Sequence, residues 1–196
     1  MFNIRRMEPK DLIDVQRCNQ YNLPENYPMV FWTYSVITWP EASFLAEDLG
    51  GKIVGYVLAS VEQAEENDHL WVGHINSLAV LRPYRRLGLA KRLMTLSKES
   101  MMDTYPLQYI QLHVRISNRA ALSLYRDALG YTVHSVDYRY YADGEDAFSM
   151  RLWINGNPDI LRHRRQRWKI FGSFHRFMVR KHEQLAYCFR GTGSAS

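Results

Sequence analysis

The sequence predicts an α/β domain built around a single mixed, mostly antiparallel sheet flanked by helices, followed by a basic extension. One observation is that short alternating apolar runs are interspersed with segments of helical spacing over about the first 153 residues. Another is the distribution of charge. Residues 1–156 carry 16 basic and 18 acidic side chains, whereas residues 157–196 carry 9 and 2. We therefore predict a domain at 1–153 and a basic, partly helical extension at 154–196.

The N-terminal part predicts a strand at 2–6 and helices at 9–19 and 29–39. Pro9 is tolerated in the first turn of a helix, and Pro40 ends the second helix. Between the helices, Leu23-Pro24-Glu25-Asn26-Tyr27-Pro28 contains two prolines and predicts a loop. On this stretch alone, Glu25 is either a solvated loop carboxylate or a functional one.

Three strands are predicted next, at 43–48, 53–61 and 71–80. Gly50-Gly51 favours a hairpin turn because glycine accepts positive φ. Residues 62–68 are rich in acidic side chains and predict a loop. The third strand does not alternate strictly, which predicts a bulge near Asn76-Ser77. It also contains His74, for which both a structural and a catalytic role remain open.

The remainder of the domain predicts alternating helices and strands. A helix runs to about residue 102, a strand follows at 109–114, and Ser117-Asn118-Arg119 offers an N-cap for a helix at 120–128 that Gly130 ends. Strands at 132–139 and 146–153 flank a loop at 140–145. That loop contains Tyr140 and Tyr141.

The segment Arg85-Arg86-Leu87-Gly88-Leu89-Ala90 lies between a strand and a helix. A helix N-terminus presents unpaired N–H groups and partial positive charge, and Gly88 would allow a phosphate close to the backbone. The segment therefore predicts a pyrophosphate site, with a merely basic helix cap as the alternative.

This Arg-x-x-Gly-x-Ala pattern resembles the coenzyme-A signature of the GCN5-related N-acetyltransferase superfamily. Within it, residues 1–153 resemble the catalytic subunits of the N-terminal acetyltransferase NatA. The matching segments occur in the same order: Leu23–Tyr27, Trp39-Pro40, Ala46-Glu47-Asp48, Gly73-His74-Ile75, Ser77–Val80, Arg85–Ala90, Leu112–Arg115, Ser117–Leu122 and Tyr140–Ala147.

The resemblance implies the GCN5-related N-acetyltransferase fold, acetyl-CoA as acetyl donor and a protein N-terminal α-amine as acceptor. It implies substrates that begin with Ser, Ala, Thr, Gly, Val or Cys after removal of the initiator Met. The sequence itself predicts no metal site, because Cys18 and Cys188 have no close Cys or His partners at metal spacing. No apolar stretch approaches the roughly 20 residues of a membrane-spanning helix, so we expect no membrane association and a cytoplasmic location.

The resemblance also implies roles for individual residues. The implied catalytic residues are Glu25, His74 and Tyr125, with Tyr125 as proton donor to the leaving thiolate. The implied acetyl-CoA contacts are Leu78, Ala79, Val80, Arg85, Arg86, Leu87, Gly88, Leu89, Ala90, Asn118 and Tyr125. The implied acceptor-peptide contacts are Leu23, Glu25, Arg115, Tyr140 and Tyr141.

A large helical auxiliary subunit is the partner that the resemblance implies, in contact with the helices at 10–19 and 29–39. No resemblance covers residues after about 153. Arginines interleaved with aromatic residues there favour contact with ribosomal RNA, whereas a basic extension that only aids solubility and a membrane-surface helix are the alternatives.

Two other functions remain open. The same fold serves lysine acetyltransferases, although a lysine amine has a higher pKa and needs a narrow channel for its stem. The second alternative function is that of a non-catalytic subunit, which would bind the ribosome or RNA through the basic extension.

Overall fold

A computed structural model of the chain describes residues 2–64 and 67–154, of which residues 64 and 67–70 are described by their backbone alone. The predictions for residues 157–196 lie outside the described residues. The chain divides into two compact units, a first unit up to Gln111 and a second unit from Leu112 onward.

The elements follow the predicted order of strands and helices. The first unit contains β1 (Asn3–Arg6), a 3-10 turn (Pro9–Asp11), α1 (Leu12–Gln20), α2 (Met29–Thr38), β2 (Phe44–Glu47), β3 (Ile53–Ala64), β4 (Asn67–Val80), a second 3-10 turn (Arg82–Tyr84), α3 (Leu89–Thr104) and the start of β5 (Leu107–Arg115). The second unit contains the end of β5, α4 (Arg119–Ser123), a π-helical turn (Leu124–Ala128), β6 (Thr132–Asp137) and β7 (Ala147–Trp153).

The seven strands form one sheet in the order β1-β2-β3-β4-β5-β7-β6. The pairs β1–β2, β2–β3, β3–β4 and β6–β7 are antiparallel. The prediction of one sheet with mostly antiparallel neighbours is therefore confirmed.

The predicted acidic loop at 62–68 is wrong. Strand β3 continues to Ala64, and β4 begins at Asn67, so that Glu62 pairs with Val72 and Gln63 with Trp71. The acidic side chains of this segment suggested a loop. Polar side chains also occur in strands, however, because what a strand position favours depends on its cross-strand and same-face neighbours.

The predicted bulge in the third strand is confirmed at Asn76. Leu58 pairs with Ser77 and Ala59 pairs with Ile75, so Asn76 is the extra residue on β4. A bulge bends the strand locally and redirects its side chains and backbone groups.

Helices α1 and α2 pack on the sheet through large buried side chains in the first unit. The buried residues there include Val15 of α1, Trp32 and Val36 of α2, and Tyr56 and Leu58 of β3. Truncation of a buried residue of the size of Trp32 to alanine costs about 3–5 kcal/mol. This packing fixes where α1 ends and the loop between the helices begins.

The second unit is built on the β6–β7 hairpin, in which Thr132 pairs with Arg151 and Val136 with Phe148. The predicted helix at 120–128 is only partly correct, since α4 ends at Ser123 and a π-helical turn follows. Gly130 has φ of 78°, as the predicted helix stop requires. Within the described ranges, no helix is long and apolar enough to cross a membrane.

Candidate functional site

The connection from β4 to α3, residues 81–88, is a tight turn held by backbone hydrogen bonds. Leu81 N donates to Val54 O at 2.8 Å, and Tyr84 N donates to Leu81 O at 2.9 Å. Arg86 and Gly88 have positive φ, 62° and 78°. A Cβ added at Gly88 would meet nothing within 4 Å, so glycine is needed there for its conformation and the space beside it is open.

Helix α3 begins directly after Gly88 and has no side-chain N-cap. The first N–H groups of a helix have no intrahelical acceptor, and the aligned peptide dipoles add partial positive charge there. Arg86, Leu87 and Gly88 are exposed at this end. An uncapped N-terminus of a long helix beside exposed cations and open space fits a phosphate group.

Arg85 makes two hydrogen bonds within the first unit. Its Nε donates to Val80 O at 2.9 Å, and its Nη2 donates to Asn22 Oδ1 at 2.9 Å. These bonds tie the β4–α3 turn to the end of β4 and to the segment after α1. Arg85 therefore helps to hold the turn, and its contact with acetyl-CoA remains a prediction.

Residues Leu78, Ala79 and Val80 end strand β4 and pair with Val57, Tyr56 and Gly55 of β3. A Cβ added at Gly55 would lie 3.1 Å from Ala79 O, so glycine permits the close approach of these strands. Ala79 and Val80 are buried. Their contact with a thioester remains a prediction.

The loop between α1 and α2 is anchored by Asn19, a buried side chain near the end of α1. Asn19 Nδ2 donates to Glu25 O at 2.9 Å and to Asn26 Oδ1 at 2.8 Å. Leu23 N donates to Asn19 O at 2.9 Å. The loop that carries Leu23 and Glu25 is therefore fixed by hydrogen bonds within the first unit.

A buried chain of hydroxyl groups extends this anchor to the bulge. Tyr56 Oη donates to Asn19 Oδ1 at 2.7 Å and lies 2.8 Å from Ser77 Oγ. Because Tyr56 has one hydroxyl proton, Ser77 is the donor in the second bond. Burial raises the pKa of Tyr56, so the hydroxyl keeps its proton.

Tyr27 holds the end of the same loop against the bulge. Its Oη donates to Asn76 O at 3.1 Å, and its ring stacks on Phe31 with centroids 4.6 Å apart. Burial raises the pKa of Tyr27 to about 12. The carbonyl group of the bulge residue Asn76 therefore accepts the hydrogen bond that attaches the loop to β4.

His74 lies on β4 opposite Ser60 of β3, two residues before the bulge. Its Nε2 is 2.5 Å from Glu62 Oε1. The prediction of a loop at 62–68 missed this carboxylate. The alternation of polar residues at Ser60 and Glu62 was the sequence signal that the strand continues and that both side chains lie on the same side of it.

In the second unit, Asn118 caps α4 as predicted, with its Oδ1 accepting from Ala121 N at 3.1 Å. Its role toward acetyl-CoA remains a prediction. Tyr125 is buried in the π-helical turn, and its ring centroid lies 6.0 Å from that of Tyr131. Burial raises the pKa of Tyr125 to about 12. Single π-helical turns are frequent at functional sites.

Arg115, at the end of β5, organises the loop that contains the two tyrosines. Its Nη1 donates to Asp143 Oδ2 at 2.8 Å and to Glu145 Oε2 at 2.7 Å. Its guanidinium carbon lies 4.0 Å from the centroid of the Tyr141 ring. The resemblance implied a contact of Arg115 with the acceptor peptide, which remains a prediction, and the sequence gave no sign of these two carboxylate partners.

Tyr140 lies between two aromatic neighbours in the same loop. Its ring stacks on His113 with centroids 4.3 Å apart and meets Tyr141 edge-on at 5.1 Å. His113 Nε2 in turn lies 2.8 Å from Asp137 Oδ2. Both tyrosines are therefore held in fixed orientations.

Each unit gathers its own share of the predicted residues. The first unit holds those of the interhelical loop, His74, the end of β4 and the turn before α3, and the second holds Arg115, Asn118, Tyr125, Tyr140 and Tyr141. Among the residues that the structure describes, no group of three or more His, Cys, Asp or Glu side chains could hold a metal ion.

Comparison with known proteins identifies the family. The model of the acetyltransferase (GNAT) family matches residues 10–131. The chain is 49% identical over 159 residues to the "N-terminal acetyltransferase A complex catalytic subunit NAA10" of Arabidopsis thaliana, a match that covers 81% of each protein. It is 50% identical over 149 residues to the "N-terminal acetyltransferase A complex catalytic subunit ard1" of Schizosaccharomyces pombe, covering 76% of this chain and 84% of the relative.

A solved structure of Chaetomium thermophilum Naa20 in complex with a bisubstrate analogue has a TM-score of 0.67 to this chain and 28% identity. The match covers 82% of this chain and 90% of Naa20. The uncapped helix after a bulged strand is thus found in a chain whose sequence and fold both match acetyltransferases. The chain belongs to the acetyltransferase (GNAT) family and is a homologue of the catalytic subunits of N-terminal acetyltransferase A.

Proposed function

We propose that this N-terminal acetyltransferase acts on nascent proteins whose first residue, after Met removal, is Ser, Ala, Thr, Gly, Val or Cys. Acetyl-CoA is the donor, and the α-amine attacks the thioester directly. The observation that carries the proposal is the uncapped N-terminus of α3 at Gly88, in a unit whose Glu25 loop is anchored by Asn19. The N-terminus of α3 supplies a site for a phosphate group. The anchored loop supplies an ordered backbone for Glu25.

The turn before α3 would hold the pyrophosphate of acetyl-CoA. Backbone N–H groups of residues 87–90 and the charges of Arg85 and Arg86 are the groups available, and the hydrogen bonds of Arg85 also keep the turn in place. When bound, acetyl-CoA supplies an acetyl group that is activated as a thioester. The proposed contacts of Leu78, Ala79, Val80 and Asn118 belong to the same cofactor.

Glu25 and His74 would take the proton that the acceptor amine must lose. An α-amine has a pKa near ~8 and is mostly protonated at neutral pH, so a modest base acting through water is enough. The Glu25 backbone is fixed by Asn19, and His74 is fixed by Glu62. Fixed groups lose little orientational entropy during the reaction.

Tyr125 would return a proton to the leaving sulfur. Since burial raises its pKa to about 12, its hydroxyl stays protonated at neutral pH. In the overall step the N–C bond forms and the C–S bond breaks. Starting from the ammonium form, the nitrogen loses one proton before attack and a second as the amide forms, the sulfur gains one, and one proton is released to solvent. Tyr125 regains its proton from solvent.

Leu23 and the loop at 140–145, which contains Tyr140 and Tyr141, would limit the size of the first residue of the acceptor peptide. Arg115 locks Tyr141, and His113 stacks on Tyr140, so neither ring moves freely to admit a bulky side chain. A rigid wall of this kind discriminates by volume.

Exposed apolar side chains on α1 and α2 support the proposal that an auxiliary subunit binds these helices. Ile13 of α1 and Val30 and Ile37 of α2 are 62%, 59% and 63% exposed. These side chains are available for burial against a partner on the first two helices. Cytoplasmic location and ribosome association through residues 157–196 are part of the same proposal.

A peptide panel tests this function. Peptides identical except for the first residue are offered with acetyl-CoA to the full chain, alone and with a NatA auxiliary subunit. We expect kcat/KM to be highest for Ser and Ala and at least tenfold lower for Leu and Phe. Equal rates for Ser and Phe would refute the preference, and no turnover in either state would refute the activity.

A further inference from the structure

Glu62 and His74 form a carboxylate–imidazole contact between β3 and β4, and His74 lies two residues before the bulge at Asn76. Glu62 Oε1 lies 2.5 Å from His74 Nε2 across the β3–β4 ladder. Their side chains are only 25% and 24% exposed. A short contact between partly buried side chains on two paired strands is a fixed arrangement, in contrast to the exposed Asp14–Arg17 pair on α1.

A carboxylate accepts hydrogen bonds and donates none when it is ionised. Its contact with Nε2 therefore requires a proton on that nitrogen. In the neutral imidazole the second nitrogen, Nδ1, then carries the lone pair. A carboxylate that contacts a catalytic histidine in this way fixes the tautomer and the orientation of the ring.

We propose that Glu62 is a positioning residue for His74: it holds the imidazole in the Nε2–H form, so that Nδ1 is the atom that accepts the proton from the attacking amine through water. This inference rests on the proposed role of His74 in acetyl transfer. The proton passes from the α-ammonium group to Nδ1, and the resulting imidazolium is neutralised by the Glu62 carboxylate. The proton then leaves to solvent.

The surroundings of His74 favour this role over a purely structural one. On β3 the neighbouring polar groups are Ser60 and Glu62, and Ser60 Oγ already accepts from Asn76 Nδ2 at 2.9 Å. From the interhelical loop, Tyr27 donates to the carbonyl of Asn76. The Ser60 hydroxyl keeps its own proton as a donor, Tyr27 donates to Asn76, and Glu62 supplies a charged group in contact with His74.

The first test is independent of activity. The full chain is labelled with 15N-histidine, and the imidazole resonances of His74 are assigned by their loss in His74→Gln. We expect the neutral ring to carry its proton on Nε2, and Glu62→Gln to shift the population toward Nδ1–H. A proton on Nδ1 in the unaltered chain would overturn the proposal, even if N-terminal acetylation itself were absent.

The second test is kinetic. We expect Glu62→Gln to lower kcat on a Ser-starting peptide by about 10- to 100-fold, as for other groups that orient a functional side chain, with the KM for acetyl-CoA unchanged. Glu62→Asp keeps the charge and should give an intermediate kcat. Glu41→Gln removes a carboxylate that accepts from Tyr105 in the same unit and should keep the full rate.

A double variant separates positioning from an independent effect. If Glu62 acts through His74, Glu62→Gln combined with His74→Gln should be no slower than His74→Gln alone. Multiplicative losses would overturn the proposal, as would a wild-type kcat for Glu62→Gln. Thermal unfolding of each variant shows whether it is folded, and Glu62→Asp keeps the kinetic test decisive if Glu62→Gln is not.

Discussion

Tyr56 Oη donates a hydrogen bond to Asn19 Oδ1 at 2.7 Å, and the amide of Asn19 in turn holds Glu25 O at 2.9 Å. The strand β3 is thereby connected to the loop that carries the proposed catalytic carboxylate. The loop has an internal anchor before any partner binds.

We expect Tyr56→Phe to loosen this loop. It leaves Asn19 Oδ1 and Ser77 Oγ without a partner at the former hydroxyl and should cost about 1–3 kcal/mol of stability. It should also lower kcat/KM for a Ser-starting peptide about tenfold, equivalent to ~1.4 kcal/mol, while the Kd for acetyl-CoA is unchanged.

Tyr105→Phe is the control for this prediction, because it also removes a hydroxyl from a buried tyrosine in the first unit, one that donates to Glu41 at 3.2 Å. Urea unfolding gives the stability and peptide kinetics give kcat/KM. Equal kinetic losses in the two variants would mean that the Asn19 anchor has no special role.

Gly88→Ala tests the turn before α3. Gly88 and Gly51 have φ of 78° and 77°, and a Cβ at either position meets nothing within 4 Å. Both alanine variants should therefore lose about 1–2 kcal/mol from backbone strain. Only Gly88→Ala should raise the Kd for acetyl-CoA, by about tenfold or more, since its Cβ occupies the space beside the helix N-terminus.

Calorimetric titration with acetyl-CoA measures this difference. Gly88→Glu should weaken binding further because a carboxylate repels the phosphate groups. An unchanged Kd in both Gly88 variants would remove the turn from the cofactor site.

Tyr125→Phe tests the proton donor. We expect kcat to fall about 100-fold, within the usual range for general acid catalysis, with little change in either KM. Tyr131→Phe removes the hydroxyl of the neighbouring buried tyrosine and should leave kcat unchanged.

The pH dependence of the unaltered chain follows from the same residue. An ordinary tyrosine has a pKa near ~10, whereas burial raises that of Tyr125 to about 12. The donor therefore keeps its proton up to pH 10, and kcat measured between pH 8 and 10 should show no decline from its ionisation. A decline that is absent in Tyr125→Phe would contradict this assignment.

Asp11 contributes stability that depends on pH. The hydrogen bond from Arg5, at 2.7 Å, lowers the pKa of this buried carboxyl below its ordinary value. Because the pKa is lower in the folded state, the contribution is complete above the unfolded value of about 4 and is lost as pH falls through the folded value.

Asp11→Asn should therefore cost about 1.5–3 kcal/mol at pH 7, and its difference from the unaltered chain should shrink in acid. Asp14→Asn, which breaks an exposed pair with Arg17, should cost about 0–1 kcal/mol. Urea unfolding at pH 7 and at successively lower pH measures both. A difference for Asp11→Asn that stays constant into acid would show that its ion pair is not the cause.

The sequence predicted the features that depend on local backbone chemistry. The bulge at Asn76, the cap at Asn118 and the stop at Gly130 each follow from alternation or from a residue type with a narrow conformational preference. They are determined by a few neighbouring residues, so one sequence is enough to identify them.

Features that depend on contacts between distant residues could not be predicted in this way. Glu62 was placed in a loop because of its acidic neighbours, although His74 on the next strand provides its partner. The pairing of Arg115 with Asp143 and Glu145 spans about 30 residues, and the anchoring of Glu25 by Asn19 and Tyr56 requires the packing of α1 on β3. No local pattern encodes these distances.

The acceptor of this acetyltransferase is a chain terminus and not a lysine side chain. A peptide that begins with Ser and contains one internal lysine, incubated with 13C-acetyl-CoA and the full chain, tests it directly. Fragment-ion mass spectrometry locates the added label. We predict that the label lies on the Ser α-amine and that an N-terminally blocked copy of the peptide is not acetylated; a label on the lysine, with the blocked copy acetylated at the same rate, would contradict the account.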